Sequence, residues 1–415
     1  MPEFIRRTRE LGEALESRWE AQGYRNSVFS ALATRSLIEF ECHEVLDLDA
    51  VLDWYARGIG VPKQPRDVSF GDPPLTLYAG ERLYVEILVW HKGHVGIHDH
   101  RFSGAWQVAA GRTFHSTYSF EEEARHEDHF YLGRLRSQHA ELLETGEVRE
   151  IQGGSDFIHR TDHIRTPTVS LLARTYTDNQ HERLQRDYYP WNVALGVDFA
   201  NPPRSLPRLA PIMRLLAKQS DRRLDEFSAT AIARLSLAEA FLMAVEYFNY
   251  LPIEERRRSS RLRALLSHVA WPRSEYLERV ADTVESYGLF ITGLEDVPDE
   301  AQRLILSALN SRPSRRAFVE QVSRWFPEST VDLPRFVAKN VVAMTDAPGF
   351  AFALDERGEE ILRAHLMAAT RNDAFEIARK SPAWGESASR AEFDSLCSMM
   401  ETAECLRTIL LTDQL

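Results

Sequence analysis

Apolar side chains recur at helical spacing through residues 3–57. Phe4, Leu11, Leu15 and Trp19 mark one helix, and Leu46, Leu48, Val51, Leu52 and Trp54 suggest another. From about residue 68 to 176 the pattern changes to short apolar runs broken by turns. Residues 75–78 break at Ala79-Gly80, and 84–90 break at Lys92-Gly93. Residues 102–111 form a run ending in Gly, and 113–120 end in the acidic run Glu121-Glu122-Glu123. Thr145-Gly146-Glu147 turns into 148–151, and 169–173 read as a buried strand. Strands at this spacing predict a sandwich or barrel. Residues 201–207, Asn-Pro-Pro-Arg-Ser-Leu-Pro, have the composition of a linker. Beyond them the chain is helical almost throughout. Residues 229–251 carry the wide apolar stripe of one buried helix, and further helices are predicted around 298–310, 314–326, 333–345, 357–370 and 389–411. The prediction is an α+β chain in three parts: helices over 1–65 packing on a β-domain over 66–200, then an all-α domain over 205–415.

Composition narrows the function. With 415 residues, 44% hydrophobic and 27% charged, the chain reads as globular and long enough for two or three cores. A net charge of −12 argues against a nucleic-acid partner, which would want a basic face. No apolar run approaches the roughly 20 residues of a membrane span, and the N-terminus lacks the apolar core of a signal peptide. Cys42, Cys397 and Cys405 are too few for a disulfide framework or a Cys-rich zinc site, so a cytoplasmic location is expected. The run Glu254-Glu255-Arg256-Arg257-Arg258 reads as a solvated helix face.

Eleven of the fourteen histidines lie between His91 and His181, which places any metal chemistry in the first half. The telling stretch is an apolar strand over 83–90, a Gly-containing turn, and then Ile97-His98-Asp99-His100. Side chains two apart on a strand share a face, so His98 and His100 can reach one metal while Asp99 points away. Two imidazoles on one face need only one or two more ligands to make a metal site. His159, in Asp156-Phe157-Ile158-His159-Arg160, is the expected third. His163 is its rival, since residues four apart on a strand share a face. Whichever is not on the metal is expected to hydrogen-bond behind it. His91, His94, His115, His126, His129 and His139 read as loop or surface groups.

Trp90, Gly93, His94, Gly96, His98-Asp99-His100, Ser103-Gly104 and Gly111 together resemble the cysteine dioxygenase-like (thiol dioxygenase) branch of the cupins. The likeness covers roughly residues 75–176, about a quarter of the chain, and includes nothing after 205. It implies a cupin β-barrel (jelly roll) holding a mononuclear non-haem Fe(II) on three histidines, with positions open for a substrate and O₂. His98 and His100 match the first two ligands and His159 the third. Ordinary cupins carry a glutamate ligand four or five residues after the His-x-His. Here those places are Gly104 and Ala105, as glycine is in bacterial thiol dioxygenases. The family's substrate-side Ser-x-His-x-Tyr falls on Ser170, Leu172 and Arg174, so only Ser170 matches and cysteine itself is not the expected substrate. The family's carboxylate-binding arginine has no clear counterpart; Arg82 is the nearest residue. Arg174, on the face of Ser170 and Leu172, is placed to clamp a carboxylate from a new position, or else to pair with Glu86 on the facing strand.

The implied function is an Fe(II) oxygenase acting with O₂ on a small chelating thiol or amino-acid-like substrate, free or borne on a peptide or carrier. Trp90, Trp106 and Phe157 would exclude solvent. The helical domain would either cover the barrel mouth or bind a protein or carrier partner. A non-catalytic metal- or ligand-sensing cupin with a helical output domain is the other reading. A 2-oxoglutarate-dependent hydroxylase fits less well, because that chemistry wants His-x-Asp/Glu plus His.

Overall fold

The computed structural model describes the chain apart from residues 65–70, 92–94, 127–128, 177–183, 198–204, 253–254, 257–258, 292–293, 295–296, 298, 312, 346–352, 385–388, 402 and 411–415. It combines helices with a large antiparallel sheet and divides into two compact units. The first comprises Met1–Phe120, Gln138–Asp187 and Gly196–Ala200. The second comprises Glu121–Ser137, Tyr188–Leu195 and Asn201–Leu415.

Three helices open the first unit: α1 (Glu3–Glu20), α2 (Phe29–Phe40) and α3 (Leu48–Arg57). The strands follow as β1 (Pro74–Ala79), β2 (Leu83–Trp90), β3 (Ile97–His100), β4 (Gly104–Arg125), β5 (Phe130–Leu143), β6 (Val148–Ile151), β7 (Gly154–Thr175), β8 (Gln185–Tyr189) and β9 (Val193–Val197). Strand β7 organises this unit. Its second half lies between β2, from Leu83↔Thr175 to Trp90↔Thr168, and β4, where Gly104 faces Arg174. Its first half lies between β4 and β3, where His98 faces His159.

Strand alternation separates two buried faces. Val85, Ile87, Val89, Ala105, Leu171 and Ala173 pack against Phe4, Leu11, Leu15, Trp19, Phe29 and Leu37 of α1 and α2. The alternate positions Leu88, Trp106, Val108 and Leu172 join Phe102, Leu143 and Ile151 in a separate cluster on the site face. Both faces are apolar because both are covered, so the runs read as continuous rather than alternating.

Strand β4 departs from expectation. The sequence predicts one strand ending at Gly111 and another ending at Phe120, but the chain runs through as a single strand of 22 residues. Gly111 adopts φ +91°, and the register on β7 shifts on either side of it. A Cβ at Gly111 would lie 2.7 Å from Thr168 Oγ1, so the residue is a kink within the strand rather than its end.

The second unit joins strand segments to helices. Phe130 pairs with Leu195 and Leu132 with Val193, and these side chains enter one core with Met213, Leu224, Phe241 and Val284. The division therefore runs through β4, β5, β8 and β9 instead of falling at one point in the chain. Most of the expected linker, residues 201–204, lies outside the described residues. The single helix expected over 229–251 is two, α4 (Asp221–Ile232) and α5 (Leu237–Tyr250). The Ser236 hydroxyl accepts from Glu239 N and starts the second of these. Arg256 is not on a helix face; it donates to the carbonyls of Asn249 and Leu251 at the end of that helix. Its neighbours Glu254, Arg257 and Arg258 lie outside the described residues. Among the described residues no helix is long and apolar enough to cross a membrane.

Candidate metal centre

All four residues of β3 are buried. Parity turns Asp99 away from its neighbours, and its carboxylate accepts from Arg186 N at 2.8 Å. His98 and His100 take the other face. Across the ladder His98 stands opposite His159, which brings a third ring to the same place. One ring nitrogen from each of His98, His100 and His159 lies within 4.8 Å of the other two, and all three residues are buried. Their spacing fits a shared ion. Two imidazole nitrogens about 2.1 Å from one ion and at right angles would lie about 3.0 Å apart. His100 Nε2 and His159 Nε2 are 2.9 Å apart.

The electrostatics also suit a cation. Burial lowers the His98 pKa. It holds His100 and His159 well below the usual histidine range, with repulsion from neighbouring rings adding to the effect. Both effects favour the neutral ring, which has one bare nitrogen able to bind a metal. The second nitrogen of His98 is held by its contact with Gly96 O, at 2.8 Å from Nδ1.

His115 is not the loop or surface group expected from sequence. It is 2% exposed on β4, two register positions from the residue facing His159. Its Nε2 lies 3.2 Å from His159 Nδ1, and its Nδ1 lies 3.1 Å from Glu141 Oε1. Arg149 holds that carboxylate at both oxygens, with Nε to Oε1 at 2.7 Å and Nη2 to Oε2 at 2.6 Å. Burial works against the Glu141 charge, but the hydrogen bonds from Arg149 and His115 outweigh it and hold the pKa down to about 2. Finding His115 from sequence would have required the β4–β7 register, which the kink at Gly111 conceals.

The other expected site residues lie on the same strands but outside the three-histidine group. His163 stacks on Trp90, ring centroids 4.7 Å apart, with its Nδ1 3.2 Å from Thr113 Oγ1. The Trp90 indole N–H donates to Ser170 Oγ at 3.1 Å. Arg174 pairs with Glu86, Nη1 to Oε1 at 3.6 Å, and its guanidinium covers the Phe102 ring. Phe102 in turn packs on His100 at 4.4 Å between centroids, so Arg174 stands one ring away from the cluster. Phe157 packs on His159, and Trp106 meets His115 edge-on. Arg82 lies over the Tyr24 ring instead. Of the remaining histidines, His91, His129 and His139 are exposed and His126 is half-buried, while His94 lies outside the described residues.

A Cβ at Gly104 would collide with the carbonyl oxygen of Ala173, so the backbone packing leaves no room for a side chain at this position.

No protein-family model matches the chain, and no curated protein matches it. Among solved structures it is similar to Peruvianin-I, a cysteine peptidase from Thevetia peruviana latex, at 17% identity and TM-score 0.21, over 30% of this chain and 72% of that one. It is also similar to an oxalate oxidase studied for its mechanism, at 15% identity and TM-score 0.18, over 32% of this chain and 56% of that one. A recombinant oxalate oxidase in complex with glycolate gives 12% identity and TM-score 0.20, over 41% of this chain and 65% of that one. The chain thus spans less than two thirds of the length of either oxalate oxidase. Scores of this size carry no argument about fold or activity, and the site stands on its own geometry.

Proposed function

We propose that the first unit is a cupin barrel whose His98, His100 and His159 hold one Fe(II), and that the protein is an oxygenase. Its substrate would be a small chelating molecule, thiol or amino-acid-like, either free or carried by a peptide or carrier protein docked through the helical unit. The observation that carries this reading is the buried cluster of three imidazoles, with one ring nitrogen of each within 4.8 Å of the other two. Bound iron would supply a redox-active Lewis acid with positions left for an anionic bidentate substrate and O₂.

The chain's own residues do the rest. The three histidines fix the position of the ion. Arg174 lies over Phe102, whose ring packs on His100, and it would orient a substrate carboxylate as Glu86 releases part of its hold. Trp90, Trp106, Phe102 and Phe157 keep the surroundings apolar and exclude water. Ser170, at the indole N–H, and His163, stacked on the ring, hold Trp90 and so keep that wall in place. An O₂-electrode screen of the Fe(II)-loaded protein against thiols, amino acids and short peptides tests the activity. Substrate-dependent O₂ uptake that is lost in His100→Ala is expected. Full iron loading with no uptake across all three classes would favour a metal-sensing role instead.

A further inference from the structure

Behind the three histidines runs a hydrogen-bonded chain that metal binding as such does not require. It leads from Arg149 on β6 to Glu141 on β5, His115 on β4 and His159 on β7. Four strands each contribute one member, and His115 is buried among them.

We infer that Glu141, acting through His115, sets the tautomer of His159 and thereby leaves its Nε2 free to take a metal. This rests on reading the three histidines as a metal site. The direction follows from donor and acceptor chemistry. A carboxylate only accepts, so the His115 nitrogen facing Glu141 is the one that carries hydrogen. The other nitrogen of a neutral imidazole has none, so His115 Nε2 accepts from His159 Nδ1–H. With its hydrogen on Nδ1, His159 turns a bare Nε2 toward His98 and His100. Arg149 keeps the carboxylate from rotating away, because it holds both oxygens at once. Glu141 and His115 are positioning residues, and neither belongs to the three-histidine group.

His115 Nδ1 and Arg149 Nε meet the same oxygen, Oε1, so a glutamine could keep its carbonyl oxygen there and leave the chain unchanged. Glu141→Leu removes the acceptor altogether, and nothing then holds the His115 hydrogen on Nδ1 or the His159 hydrogen on Nδ1. Two measurements on the full chain test this. The first is ¹⁵N NMR of the histidine side chains in metal-free protein. His159 is expected as the Nδ1–H tautomer in the wild type and as a mixture of the two tautomers in Glu141→Leu. The second is Co(II) titration, in which Glu141→Leu is expected to bind about 10–100-fold more weakly, the range found when outer partners of metal-bound histidines are removed. Wild-type His159 found as Nε2–H overturns the inference even if the variant fails to fold, as does a Glu141→Leu protein with unchanged tautomer and affinity. A wild type that binds no Co(II) would defeat the metal reading and leave the tautomer result to decide this one.

Discussion

Arg174 and Glu86 form an ion pair across β7 and β2, Nη1 to Oε1 at 3.6 Å, with the guanidinium also lying over Phe102. Burial raises the Glu86 pKa, and Arg174 partly offsets that rise. Arg174→Leu therefore leaves a buried carboxylate alone, which is costly only while it is ionised. The variant is expected to lose more thermal stability at pH 8 than at pH 5, and Glu86→Gln added to it should restore part of the loss. If Arg174 also clamps substrate, the double variant should regain stability while KM stays high. A double variant with restored stability and wild-type KM would make Arg174 purely structural.

Asp187, on β8 near Asp99, has its carboxyl pushed up to about 7, by burial first and by the Asp99 charge second. An acid with a raised pKa in the fold holds its proton longer than it does in the unfolded chain. Stability therefore falls as pH rises from about 4 to about 7 and stays low above that, by up to roughly 4 kcal/mol. Asp187→Asn removes the penalty. It should raise the melting temperature at pH 8 and change little at pH 4. An equal change at both pH values would contradict this assignment.

His365, in the second unit, stacks on Phe393 with its Nε2 3.6 Å from Cys397 Sγ. Burial, with help from Arg371, Arg315 and Arg390, lowers its pKa to about 4. The unfolded chain takes up this proton near pH 6.5 and the fold resists it. Stability is thus lost as pH falls from about 6.5 to about 4, by up to roughly 3 kcal/mol. His365→Phe should flatten the urea-midpoint curve across that window relative to wild type. An unchanged slope would mean that His365 is protonated in the fold at an ordinary pH.

What was legible in the sequence follows from period-2 geometry. His98, Asp99 and His100 needed only alternation to assign their faces. Arg174 could be matched to Glu86 because apolar runs on β2 and β7 mark them as facing strands. The role of His115 was hidden for a physical reason. It depends on how β4 lies along β7, and the register shifts around Gly111 break the simple count. The affiliation of 121–137 and 188–195 with the helices was likewise hidden. Phe130, Leu132, Val193 and Leu195 look like ordinary strand residues, and nothing local says that their apolar side chains enter a helical core.

The central claim is that His98, His100 and His159 together hold one metal ion. Anaerobic Fe(II) titration of the apo-protein, with metal content measured after desalting, tests it most directly. One ion per chain is expected in the wild type and none in His100→Ala, with the melting temperature of the metal-free proteins within a few degrees of each other. Wild-type protein that retains no metal, or a His100→Ala variant that retains as much, would contradict the account.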